Sequence, residues 1–275
     1  MILAQITDTH IETGGKAAFG RVDTAAALER CIDLLHGLDP APDLVLHTGD
    51  LVDRRTPEEY ARFREIIARL KLPFYAIPGN HDAREPMRAA FADAGWMPRE
   101  GEFLHYAIDA FPVRILALDC IVPRSGSGAL CEARLRWLEE RLEAQPSRPT
   151  VVALHHPPFA TGLPEIDRGG FGNVDRFATV LRRHAQVERV ICGHVHRAIT
   201  ARFGGTVATA APSICYQFAL DTREGAPLSY AFEPPGLYLH VWREGEGLLT
   251  HLLPIGDYGP PIPFLKDGKM LRPQE

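Results

Sequence analysis

Five short segments of this chain carry side chains of the kinds that ligate metal ions: Asp8 and His10, Asp50, Asn80 with His81, His155, and His194 with His196. Carboxylate and amide oxygens together with imidazole nitrogens form a mixed donor set that suits divalent transition metals. Asp50 has two oxygens and can face two cations at once, so the five segments read together as one site for two metal ions.

Taken one at a time, the segments keep plainer readings open. Asp8-Thr9-His10 and His194-Val195-His196 set ligands on alternate residues, which point the same way on an extended backbone. Either could instead be a polar strand end, and Gly193 would let the second turn approach closely. Asp50 after Gly49 is a metal bridge or a turn residue, and Asp53 is a partner of a ligand or a solvated loop acid. Asn80 offers a neutral oxygen where more carboxylates would overneutralise the metals, which leaves His81 to act on a substrate. Asp82 orients an imidazole or starts the helix before Glu85. In His155-His156-Pro157-Pro158, neighbouring strand residues face opposite ways; His155 is the expected ligand, while His156 lines a pocket or packs.

These donors need a scaffold, and each group follows a short apolar run: Met1 to Thr7, Asp43 to Thr48, Pro73 to Ile77, Thr150 to Leu154 and Arg189 to Cys192. Such runs read as buried strands, and open α/β sheets gather ligands beyond the carboxyl ends of their strands. Helical spacing runs through Val22 to Leu38, Pro57 to Leu70, Glu85 to Ala94, Cys131 to Ala144 and Val174 to His184, giving an alternating α/β order. Thr56, Pro57, Glu58 and Glu59 make a helix start of cap, proline and acids.

After His196 the spacing changes to short strands, Ile199 to Phe203, Thr206 to Ala210, Leu237 to Trp242 and Leu248 to Leu253, expected to close as one β-rich layer. Gly204-Gly205 is a hairpin turn between the first two. Residues 1–255 are read as the catalytic domain and 256–275 as a proline-rich tail over its surface, with Pro260, Pro261, Pro263 and Pro273. The loop from Ala160 to Asn173, with Glu165, Asp167 and Arg168, borders the pocket or is a plain connection. Tyr216, Phe218 and Tyr230 stack on a ligand or pack.

Composition narrows the classes. At 45% hydrophobic and 24% charged, the 275 residues suit a globular domain. Five scattered cysteines without a CxxC pair point to reduced thiols. Neither a membrane-spanning run nor a signal peptide is evident, so the expected location is cytoplasmic and no membrane partner is expected. A net charge of -5 argues against a broad nucleic-acid surface, and a nuclease would need a basic groove or stacking platform.

In their order, Asp8-x-His10, Gly49-Asp50-x-x-Asp53, Gly79-Asn80-His81-Asp82, His155-x-Pro157 and Gly193-His194-x-His196 resemble the calcineurin-like metallophosphoesterase superfamily across most of the chain. The Pro57-Glu58-Glu59-Tyr60 helix start, the His155-His156-Pro157-Pro158 segment and Pro212-Ser213 with Tyr216-Gln217-Phe218 are similar to its branch of bacterial class III cyclic nucleotide phosphodiesterases and glycerophosphodiesterases. The resemblance implies an α/β four-layer αββα sandwich, two central mixed sheets flanked by helices, with a dinuclear metal site at the strand C-terminal ends. It implies that Asp8, His10, Asp50 and His196 hold one metal and Asp50, Asn80, His155 and His194 the other. The ions would be divalent or mixed-valence Mn, Fe, Zn or Co.

Asp50 and His81 are then the catalytic residues, and Asn80, His81 and His196 contact substrate. The implied reaction is hydrolysis of a small phosphodiester by a hydroxide held between the ions. A 3',5'-cyclic nucleotide is the first expectation and a glycerophosphodiester the alternative. A non-catalytic metal-binding interaction scaffold is the rival from another class; it should have lost ligands, and none is missing here. Assembly as a homodimer or higher homo-oligomer would use the β-rich C-terminal half.

Overall fold

Among the described residues five helices form where the apolar spacing predicts them, a short sixth, Pro164–Asp167, forms inside the expected loop, and side-chain caps from Asp23 and Thr56 start two of the six. The computed structural model describes residues 1–266 and 269–270. Its first half runs β1 (Ile2–Ile6), α1 (Thr24–His36), β2 (Leu44–His47), α2 (Pro57–Ile67), β3 (Phe74–Ala76), α3 (Arg84–Ala90), β4 (Tyr106–Ile108), β5 (Arg114–Ala117), β6 (Gly128–Ala129) and α4 (Glu132–Ala144). There follow β7 (Thr150–Ala153), α5 (Pro164–Asp167), β8 (Phe171–Gly172), α6 (Val174–Arg182), β9 (Val187–Cys192), β10 (Ile199–Phe203), β11 (Thr206–Ala210), β12 (Gln217–Phe218), β13 (Tyr230–Ala231), β14 (Gly236–Arg243) and β15 (Gly247–Pro254). At the start of α2 the Thr56 hydroxyl accepts from Glu59 N and the Glu59 carboxylate accepts from Thr56 N, a reciprocal box worth about 1 kcal/mol.

Two sheets lie face to face. One has the order β15-β14-β1-β2-β3 and the other β10-β11-β9-β7-β5-β4. Between them Leu3, Leu44 and Leu46 pack against Ile115, Val151 and Ile191. Helices α1 to α3 cover the outer face of the first sheet through Leu28, Ile32, Tyr60 and Phe63, and α4 and α6 cover the second through Leu138, Leu142, Phe177 and Leu181. The result is the four-layer αββα sandwich. Strands β2, β5 and β7 are buried along their whole length because both faces are covered.

Parallel pairing gives the sandwich its direction. Strands β1, β2 and β3 run parallel, as do β5, β7, β9 and β11, so the carboxyl ends of each set share one edge. A buried polar network holds the sheets in register: Gln5 Nε2 donates to Thr48 Oγ1 and to Cys192 O, and Gln5 Oε1 lies 2.9 Å from His240 Nε2.

One expectation is corrected. The strands after His196 do not close as one β-rich layer. The β10-β11 hairpin extends the second sheet beside β9, whereas β14 crosses to the first sheet and pairs antiparallel with β1, Ile2 opposite Val241. The free edge of β1 needs a hydrogen-bonding partner, and hydrophobic spacing does not say which distant strand supplies it. The segment from Gly256 to Leu265 is exposed throughout, and Leu265–Lys266 pairs with Lys269–Met270. The rest of the expected tail, including Pro273, lies outside the described residues. Among those residues all five cysteines are free thiols, and no helix is long and apolar enough to cross a membrane.

Candidate metal centre

The loops after β1, β2, β3, β7 and β9 bring the five donor segments together at the shared edge. They do so by a route the sequence did not suggest. Asp8, His10, Asp50, His194 and His196 all have positive φ, between 43° and 70°. Alternate donors therefore converge through left-handed backbone and not through extended strand. This conformation costs an ordinary residue about 1 kcal/mol or more, though Asp and His tolerate it better than most. Cross-loop hydrogen bonds hold it: Asp8 N to Gly49 O, His10 N to Asp50 O, and His194 N to Asp8 Oδ2. Gly49, at φ 103°, has no alternative, because a Cβ there would strike the His155 ring. Gly193 likewise lies against the Thr7 hydroxyl, so the close approach expected of it is realised.

Backbone carbonyls aim the imidazoles. His155 Nδ1 lies 2.8 Å from Thr48 O and His196 Nδ1 3.0 Å from Tyr216 O, so each Nδ1–H donates outward and the Nε2 lone pair turns inward. Nε2 of His10 and Nε2 of His196 then face one another at 3.1 Å. Asp8 Oδ1 stands 3.3 Å from His196 Nε2, and Asp50 Oδ2 stands 3.7 Å from His10 Nε2. On the other side, Asp50 Oδ2 is 3.3 Å from His155 Nε2, which is 3.1 Å from Asn80 Oδ1. His194 completes this group, its ring 5.1 Å from that of His155.

These residues fit metal ions. The facing Nε2 atoms of His10 and His196 are spaced as two donors to one cation would be, and Asp8 Oδ1 and His10 Nδ1 are buried with no hydrogen-bond partner among the described residues. Donors bound to one ion at about 2.1 Å lie roughly 3 to 3.5 Å apart, close to the spacing found. Burial opposes the charge on Asp50, yet His155 and His10 hold its carboxyl well below the usual range. Burial likewise opposes charge on His155, but Asp50 pulls it up to about 9, and a cation bound at Nε2 would displace that proton. Burial and the neighbouring His155 push His194 down to about 3, which leaves its ring in the neutral, ligating form.

The residues around the donors find distinct roles. His81 projects beside the centre, part-exposed, with Nδ1 2.9 Å from Asp53 O; its backbone N–H donates to Asp50 Oδ1. Asp53 partners two rings, its Oδ1 3.4 Å from Nδ1 of both His10 and His81. Asp82 orients no imidazole and caps no helix, both of which its position allowed. Its carboxylate accepts from Leu51 N, Gly79 N and the Tyr60 hydroxyl, tying the loops after β2 and β3 to α2. His156 belongs to a possible donor triple with His155 and His194, but Cys120 Sγ and Gly126 O already engage its two nitrogens. Tyr216 packs on His196, Phe218 stacks on the same ring at 4.7 Å, and Tyr230 stacks on Phe19.

Two clefts flank the centre. One of about 210 Å³ is lined by Gly126, His156, His194, Asp167 and Phe171, so the loop after Ala160 does border the site. The other, about 310 Å³, lies beyond Asn80. Sequence reasoning missed the anchors Thr48 and Tyr216, which act through carbonyls that every residue type possesses, and His47, whose buried ring lies 3.0 Å from Thr9 Oγ1.

Comparison with known proteins places this geometry. The calcineurin-like phosphoesterase family matches residues 1–198. The chain belongs to that family. A probable glycerophosphodiester phosphodiesterase of Arcobacter nitrofigilis is 40% identical over 268 residues, covering 97% of this chain and 98% of the relative. The 3',5'-cyclic adenosine monophosphate phosphodiesterase of Escherichia coli K12 is 33% identical over 216 residues, 78% of this chain and 77% of the relative. A dimetal phosphatase from Danio rerio shares the fold, with a TM-score of 0.65 over 93% of this chain and 99% of that one at 14% identity. Family and donor groups together support two metal ions in a calcineurin-like hydrolase acting on phosphodiesters.

Proposed function

We propose that this member of the calcineurin-like family hydrolyses glycerophosphodiesters. Asp8, His10, Asp50 and His196 would hold one metal, and Asp50, Asn80, His155 and His194 the other. These sets are drawn from two donor clusters, Asp8 with His10 and His196 and Asp8 with Asp50 and His155, with Asn80 and His194 beside His155. The observation that carries this reading is Asp50 Oδ2, set between Nε2 of His10 and Nε2 of His155, where one carboxylate could serve two ions. When bound, two such cations supply a nucleophile at neutral pH and neutralise the charge of the phosphate.

The chain's own groups do the rest. The Thr48 and Tyr216 carbonyls keep His155 and His196 turned inward. Asn80, part-exposed at the edge of the donor set, contacts the phosphate, while His196 lies 2% exposed beneath Tyr216 and Phe218. His81 Nδ1 is engaged by Asp53, so its Nε2 is available to the departing oxygen. Burial opposes charge on His81, but Asp53 and Asp50 outweigh it and push the ring up to about 10, a form that donates a proton to a leaving alkoxide.

Two observations favour the glycerol diester over the cyclic nucleotide. The glycerophosphodiesterase relative matches almost the whole chain, and Tyr216 and Phe218, candidate platforms for a base, are already packed on His196. The cyclic nucleotide stands as the second reading because of the 33% identical relative. The test is kcat/KM of metal-loaded protein on glycerophosphoethanolamine and on 3',5'-cyclic AMP. The glycerol diester is expected to be preferred, with Asp50→Ala lowering turnover about 10³-fold. A preference for cyclic AMP would overturn the substrate assignment, and metal-independent turnover would overturn the mechanism.

A further inference from the structure

The cleft beyond Asn80 differs in charge from its neighbour. Its wall holds three arginines, Arg55, Arg84 and Arg124, and two acids, Asp82 and Glu85. Three of these five are already satisfied. Arg84 makes a two-pronged pair with Asp119 at 2.6 and 3.0 Å, Glu85 pairs with Arg88 at 2.6 Å, and Asp82 is spent on Tyr60, Leu51 and Gly79. Arg55 and Arg124 remain. Among the described residues neither has a carboxylate within ion-pair distance, and Arg55 makes a single hydrogen bond, Nη2 to Asn80 O at 3.0 Å. The smaller cleft on the His194 side has no arginine or lysine in its lining.

The backbone beneath these two side chains is unusual as well. Nine described residues other than glycine have positive φ, and five of them are donors of the metal centre. Arg55, at φ 66°, and Arg124, at φ 60°, are two of the remaining four. Arginine has no short polar side chain to ease a left-handed turn, so the surrounding loops must sustain each at a cost of about 1 kcal/mol or more. Such outliers gather where a side chain must be presented in one direction. Here both turns flank one cleft, and Arg55 is tied to the carbonyl of Asn80, whose side-chain oxygen faces the metal centre.

We propose that Arg55 and Arg124 form a subsite for a second negative charge on one arm of the diester, so that the enzyme prefers headgroups carrying a carboxylate. The inference rests on the diesterase reading above. With the phosphate at the metal centre, the arm on the Asn80 side enters a cleft of about 310 Å³, room enough for a serine-sized headgroup. Guanidinium groups pair with carboxylates through parallel hydrogen bonds, and Arg55 has donors left after its bond to Asn80.

The experiment compares glycerophosphoserine with glycerophosphoethanolamine, which differ by one carboxylate. Expected is a kcat/KM ratio of about tenfold in favour of serine, lowered towards one by Arg55→Gln or Arg124→Gln and kept in large part by Arg124→Lys. Arg243→Gln, on an exposed strand end, removes the same charge elsewhere and is expected to leave the ratio alone. A native ratio near one, or a ratio indifferent to both glutamine variants, overturns the subsite. The second arm measures inhibition of bis(4-nitrophenyl) phosphate hydrolysis by O-phosphoserine and O-phosphoethanolamine. If neither glycerol diester turns over, the proposed function fails, while tighter inhibition by O-phosphoserine that both glutamine variants abolish still supports the subsite; equal inhibition rejects it.

Discussion

On the side of Asp8, His10 and His196 the metal centre is closed. These residues are 0%, 4% and 2% exposed, and Tyr216 and Phe218 lie across the rings. On the side of Asn80, His155 and His194 only His155 is fully buried, and both clefts open there. The two halves use the same donor chemistry, so the difference lies in what covers them. Under the proposed function, a covered half would retain its ion and an open half would admit the phosphate and its two arms. His81 stands on the open side, next to Asn80 in sequence and held by Asp53.

The comparison is open to direct attack. The largest effect is expected from His81→Ala, which should lower kcat on glycerophosphoethanolamine roughly 10²-fold or more while both metals remain bound. A diester with a good leaving group, such as bis(4-nitrophenyl) phosphate, should suffer much less; equal losses on the two substrates, with metal content measured in parallel, would remove His81 from proton transfer. Next in size, Asn80→Ala should weaken one of the two ions by about tenfold or more and leave the other. In a chelator titration the metal content should fall from two to one well before the unaltered protein releases either, and simultaneous loss of both would show the halves to be one unit. Smallest is Phe218→Ala, which removes a stacked ring worth about 0.5 to 1.5 kcal/mol. Metal exchange at the covered half should become a few times faster, with kcat little changed; an unaltered exchange rate means that this ring does not provide the seal.

Much of this centre was legible beforehand because donor chemistry is a property of residue type. Few kinds of side chain offer a good donor to a cation, so Asp8, His10, Asp50, Asn80, His155, His194 and His196 stood out from their types and their places after apolar runs. Asp82 shows where that reasoning stopped. Its type and position suited a partner to an imidazole, and only the approach of Tyr60, Leu51 and Gly79 turned it into a clamp between loops. Spacing could not separate these roles, because a carboxylate accepts hydrogen bonds from whichever donors the fold delivers.

The sequence by itself determined five of the helices described, nine of the eleven strands in the two large sheets and which side chains can act as donors, all of which follow from local periodicity and side-chain chemistry. The tertiary structure decided how the donors are aimed. It supplied the left-handed turns at Asp8, His10, Asp50, His194 and His196, the Thr48 and Tyr216 carbonyls that turn two rings inward, and the pairing of β14 with β1. It also brought Arg55 and Arg124, 69 positions apart in the chain, to one cleft beside Asn80. Carbonyl oxygens and backbone angles leave no mark in residue type, and long-range pairing is chosen by the whole core rather than by any segment.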